Sequence, residues 1–239
     1  MIKPNKRTLY FSAALFLLFI VFTALVATVD VAAGVAPGTE IGFSHLNLAF
    51  FHTTRPDGTV NSALYSLSDV CGKIALLEAA AFAAYGVVQA IKRKSLKKAD
   101  ADIYVLAAAY IVLALFYVAF EFIVVNHRPV LLEGGEAEAS YPSSHTMLAC
   151  TIFDTGIVML CRRIRGNNAK AFKILTVAVS AALMLATVIG RALCGVHYLT
   201  DIIGGLLLSA AVIALFAAFL PEKNAEETVS GETGAESGD

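Results

Sequence analysis

The run Leu9–Thr28, LYFSAALFLLFIVFTALVAT, holds twenty residues without a charge. At about 1.5 Å of rise per residue, a helix of that length crosses the roughly 30 Å hydrocarbon core of a bilayer. Lys3, Lys6 and Arg7 precede it. A secretory signal peptide also starts basic, and Ala32-Ala33-Gly34 offers small residues, but the run outlasts a usual signal core and further spans follow. It reads as an uncleaved first transmembrane helix.

Outward from this run, five more apolar stretches have spanning length. They cover about Val70–Ile91, with Glu78 inside, then Ile103–Asn126, Pro142–Cys161 with Asp154, Phe172–Gly190 and Val196–Leu220. Glu78 and Asp154 read as hydrogen-bond partners between helices. Composition agrees with a membrane solvent: 58% of residues are hydrophobic, 15% are charged and the mean hydropathy is +0.72, whereas about a quarter of a soluble domain is charged. The expected fold class is all-α, a polytopic six-helix membrane bundle over residues 1–220. Between the first two spans, Ile41–Phe51 has apolar residues at helical spacing and predicts a short helix along the outer interface, a lid over the bundle. Arg55-Pro56-Asp57-Gly58 reads as a turn. The tail, residues 221–239, carries six acidic residues and little apolar content, so it is expected to be disordered and cytoplasmic. Cys71, Cys150, Cys161 and Cys194 lack metal-site or disulfide spacing and read as small apolar fillers.

Charge orients the bundle. Three Lys/Arg precede span one, five follow span two, five lie from Arg162 to Lys173 and one is in the tail, leaving Arg55, Lys73, Arg128 and Arg191 for the other side. Basic residues accumulate on the cytoplasmic side, so both termini are expected inside. The net charge of -1 conceals this asymmetry and gives no reason to expect a nucleic-acid partner.

The opposite face then collects Arg128-Pro129, Pro142-Ser143-Ser144-His145, Arg191, His197 and Asp201. Ionisable residues are costly near a bilayer and mark a functional site by default. Arg128 and Arg191 have planar forks that match phosphate oxygens. Ser143 and Ser144 open the fourth span, where free backbone N–H groups and the helix dipole favour an anion. His197 and Asp201 lie four apart on one helix face, so the carboxylate can hold one imidazole nitrogen and leave the other to attack phosphorus. His145 is the candidate general acid and base. Two arginines aimed at one place fit an anion better than a metal, and no cofactor is expected.

These residues resemble the type 2 phosphatidic acid phosphatase superfamily, whose motifs are Lys-x6-Arg-Pro, Pro-Ser-Gly-His and Ser-Arg-x5-His-x3-Asp. Here they read Glu121-x6-Arg128-Pro129, Pro142-Ser143-Ser144-His145 and Gly190-Arg191-x5-His197-x3-Asp201. The resemblance implies a helical bundle and metal-free hydrolysis of a phosphomonoester or diphosphate on a lipid entering from the membrane. Its site residues coincide with those assigned above. Undecaprenyl diphosphate at a bacterial plasma membrane is the leading expected substrate, with phosphatidic acid beside it.

Three positions depart from the pattern. Ser144 replaces glycine and Gly190 replaces serine, both tolerable changes. Glu121 replaces lysine and reverses a charge worth on the order of 3 kcal/mol at about 6 Å. Glu121 lies seven residues before Arg128, about two turns deeper on nearly the same helix face, so it is expected to pair with Arg128 or with Lys73 and support the site from behind. The alternatives are a degenerate member that binds or moves phospholipid without hydrolysis, and a transferase to an acceptor other than water.

Overall fold

A computed structural model describes residues 3–131 and 137–221. Six of its helices are long and apolar enough to cross a membrane: α1 (Lys6–Thr28), α3 (Ser62–Lys92), α4 (Ala101–Phe122), α5 (Ser144–Arg163), α6 (Ala169–Leu193) and α7 (Leu199–Phe219). A short helix, α2 (Ser44–Thr54), and a two-residue antiparallel pair, β1 (Ala32–Ala33) with β2 (Glu40–Ile41), lie between α1 and α3. The expected acidic tail falls outside the described residues beyond Pro221.

The apolar character of each span decides its place. α7 sits at the centre, packed by α1, α4 and α5, while α3 packs on α5 and α6. Leu208, Ala211 and Val212 of α7 are fully enclosed, and the core around them includes Phe19, Leu106, Leu113, Met147 and Phe153. Leu77, Ile91 and Phe122 point outward, as helices solvated by lipid require.

The bundle has two chemically different ends. At one, the backbone N–H of Asn5 donates to the carbonyl of Ala218 at 2.8 Å, Arg163 donates to Asp102 at 2.9 Å, and Arg93 donates to Asp100 at 2.8 Å. This end gathers the basic segments. The other end holds α2, the start of α3 and the predicted motifs, joined by Asn61 N–H to Cys194 carbonyl and Ser143 N–H to Asp201 carbonyl, 2.8 and 2.9 Å.

Some expectations need correcting. The third span ends at Phe122 rather than Asn126, and Ile123 is already extended. The second begins at Ser62, eight residues early, because Asn61 caps it by accepting from the Leu64 N–H. The short helix begins at Ser44, since Ile41 belongs to β2. Glu78 faces Gly156 of α5 and its Oε1 has no hydrogen-bond partner among the described residues. All four cysteines are free.

Candidate active site

Where α4 stops, the chain runs extended and turns back on itself. His127 bridges Ala139 in antiparallel fashion, Arg128 N–H donates to the Glu138 carbonyl and Ser140 N–H to the Asn126 carbonyl, both at 2.9 Å. This clasp delivers Arg128 beside the start of α5. Its Nε lies 3.0 Å from Glu138 Oε2 as an ion pair without hydrogen-bond alignment, and Nη1 has no hydrogen-bond partner among the described residues.

Ser143 caps α5, and its Oγ is buried and unpaired among the described residues. Ser144 and His145 form the first turn. His145 Nε2 lies 3.3 Å from Asp69 Oδ1 of α3.

Between α6 and α7, Gly195 adopts φ of 92°, a conformation that suits glycine, and the chain turns to present His197. The imidazole is buried, with Nδ1 3.5 Å from Asp201 Oδ2. Asp201 is held in place more firmly: Oδ2 accepts from the Tyr198 N–H at 2.9 Å and Oδ1 from Asn126 Nδ2 at 3.1 Å. Burial, aided by the Arg128 and Arg191 charges, pushes the His197 imidazole below its ordinary value, while Asp201 opposes the shift. His197 is therefore neutral at neutral pH.

Arg191, near the end of α6, is almost fully enclosed. Its guanidinium carbon lies 4.7 Å from the centroid of the Tyr65 ring, a favourable cation–π distance, and its Nη2 is 3.5 Å from Asp69.

A polar cavity of about 550 Å³ is lined by Arg128, Ser144, His145 and His197, with Glu121, Glu138 and Tyr141 also on its walls. A second, apolar cavity of about 510 Å³ lies between α3, α4 and α5, walled by Leu76, Leu113, Leu148 and Ile152. Tyr117, Ser144 and His145 belong to both.

The expected pairing of Glu121 with Arg128 or Lys73 does not form. Arg128 pairs with Glu138 and Lys73 with Asp69 at 2.9 Å. Glu121 is exposed and lines the polar cavity together with Tyr117. The cause is the early end of α4: no continuous helix places position 121 under position 128. Lys73 lies on the apolar cavity instead.

Sequence reasoning missed Asn126, Asn47, Tyr65 and Asp69. Asn47 Nδ2 and Asn126 Nδ2 both donate to Thr200 Oγ1, at 2.9 and 3.1 Å, and Gly42 N–H donates to Asn126 Oδ1 at 3.0 Å. The only signal was position: Asn126 stands two residues before Arg128, and Asp69 four before Lys73.

The PAP2 superfamily model matches residues 122–225. No curated protein matches the chain in sequence. In structure the chain is similar to the "first transmembrane PAP2 type phosphatidylglycerolphosphate phosphatase from Bacillus subtilis", with a TM-score of 0.58 and 18% identity over 87% of this chain and 94% of that one. The stretch that the PAP2 superfamily model matches holds Arg128, His145, Arg191, His197 and Asp201, and the chain shares the fold of that transmembrane PAP2-type phosphatase.

Proposed function

We propose that this protein hydrolyses a phosphomonoester or diphosphate of a lipid through a phosphohistidine intermediate. The observation that carries the reading is a convergence of unpaired groups. Arg128, Ser143, Arg191 and His197 each leave a buried side-chain nitrogen or oxygen without a hydrogen-bond partner among the described residues. Such groups are rare and cost about 1–3 kcal/mol each; Arg128, Ser143 and Arg191 carry donors for a phosphoryl group, and His197 carries a nucleophile.

In this mechanism Arg128 and Arg191 bind the equatorial oxygens, with Ser143, Ser144 and the start of α5 beneath them. Asp201 holds His197 through Nδ1, so neutral Nε2 attacks phosphorus in line. The N–P bond forms as the bond to the lipid oxygen breaks, and His145 gives that oxygen a proton. Water then attacks the phosphohistidine, His145 takes its proton, and the N–P bond breaks to release phosphate. The two guanidinium groups supply the charge stabilisation, so the mechanism uses no metal.

The apolar cavity sharing Ser144 and His145 with the polar one suits the lipid chain, and undecaprenyl diphosphate and phosphatidic acid are the substrates to try. The basic residues gathered at one end of the bundle support an orientation with that end and both termini in the cytoplasm and the site at the outer face of a plasma membrane.

A non-hydrolysing lipid-binding reading draws on Glu121 and Glu138, two carboxylates lining the polar cavity. One experiment separates them: phosphate release by the purified protein in detergent, with chelator present, beside a His197→Ala control. Release that vanishes in the control is the expected result. Lipid binding without release would favour the second reading.

A further inference from the structure

The mechanism above draws on the clasp before α5 and on α5, α6 and α7. A second set of residues touches the same groups from α3, outside residues 122–225. Tyr65, Ser68, Asp69, Gly72 and Lys73 recur at three- and four-residue spacing, which aligns them on one helix face. That face is fitted to the site. The Tyr65 ring supports the Arg191 guanidinium at 4.7 Å. Ser68 packs where a side chain on Gly190 would go, 2.8 Å from its Cβ position, and a Cβ on Gly72 would lie 2.8 Å from His145 Cδ2.

Asp69 is the residue that joins these contacts. Its Oδ1 lies 3.3 Å from His145 Nε2 and 3.5 Å from Arg191 Nη2, and its Oδ2 lies 2.9 Å from Lys73 Nζ. One carboxylate oxygen therefore faces an imidazole from α5 and a guanidinium from α6.

We propose that Asp69 is a positioning residue for phosphoryl transfer, fixing His145 and Arg191 relative to each other while touching no reacting atom. The inference rests on the hydrolase reading above. A carboxylate on one imidazole nitrogen sets the ring's tautomer and orientation. With Nε2 held by Asp69, Nδ1 is the nitrogen that exchanges a proton with the lipid oxygen. A bare carboxylate would repel the incoming phosphate, and Lys73 on its second oxygen offsets that charge. The pair Asp69–Lys73 thus adds order to the site without adding net charge.

The test compares wild type, Asp69→Asn, Asp69→Glu and Gly72→Ala for phosphate release from phosphatidic acid and undecaprenyl diphosphate, with thermal unfolding in detergent measured on each. Asp69→Asn is expected to lower kcat at least tenfold with KM changed less than threefold, because the phosphate-binding donors remain. Asp69→Glu is expected to regain part of the loss. Gly72→Ala removes no polar group and presses a methyl against the His145 ring, so it should lower kcat without lowering the unfolding temperature, and it decides the matter if Asp69→Asn fails to fold. Turnover by wild type that stays within twofold in Asp69→Asn, or in Gly72→Ala where Asp69→Asn does not fold, overturns this inference alone. Absence of release from wild type overturns the hydrolase reading and this inference with it.

Discussion

Asn126 Nδ2 donates to Asp201 Oδ1 at 3.1 Å, joining the segment that carries Arg128 to the carboxylate beside His197. The same amide accepts from Gly42 N–H through Oδ1, and the Asn126 carbonyl accepts from Ser140 N–H. A single buried residue thus joins three otherwise separate stretches, two of them through its side chain. Asn126→Ala leaves the Gly42 donor and one Asp201 acceptor unpaired, at about 1–3 kcal/mol each. We expect lower thermal stability and phosphate release reduced roughly ten- to hundredfold, measured on the purified variant beside wild type.

Acid should act on stability through His197. Its imidazole is pushed below the ordinary value by burial and by the two arginine charges, so the unfolded chain takes up the proton first. The stability from this group is complete above about pH 6.5 and is lost as pH falls through the folded value. The unfolding midpoint in detergent should drop below pH 6.5, and the drop should be smaller in His197→Gln.

Removing the charge at position 121 should help rather than harm. Glu121 lines the polar cavity and has no part in holding Arg128, which pairs with Glu138. At about 10 Å and an effective dielectric near 40, a carboxylate opposes a bound phosphate by about 0.8 kcal/mol. Glu121→Gln should raise kcat/KM about fourfold, with the gain shrinking at high salt.

Placing at position 190 the serine of the motif Ser-Arg-x5-His-x3-Asp should be costly. A Cβ there would lie 2.8 Å from Ser68 Cβ and 3.1 Å from the Leu64 carbonyl oxygen, so α3 and α6 would have to separate. Gly190→Ser is expected to lose roughly 1–3 kcal/mol, seen as a lower unfolding temperature. Ser68→Ala leaves the Cβ contact in place and should not rescue it.

The bundle was legible because spans are written as long apolar runs, and the motif residues because arginine, histidine and aspartate are rare at their ends. The errors fall where a run cannot report its own geometry. Ile123-Val124-Val125 continues the apolar character of α4, yet the backbone there leaves the helix and brings Arg128 to Glu138. Hydropathy cannot distinguish an extended apolar segment from a helical one. Ser62–Asp69 lies outside the expected second span, but Ser68 is buried against Gly190 and Tyr65 lies against Arg191. Their partners come from more than a hundred residues away, and no local pattern encodes them. Glu121 was misplaced for the same reason, since its expected partners depended on a helix that ends early.

The two cavities that meet at His145 give the proposed reaction a direction. A phosphate lipid split between them would yield a water-soluble phosphate on the polar side and a lipid product whose chain lies on the apolar side. In that reaction the phosphate would leave past Arg128, while the lipid chain would stay among Leu76, Leu113 and Leu148. Recombination would need both to return to the wall of Tyr117, Ser144 and His145 that the two cavities share.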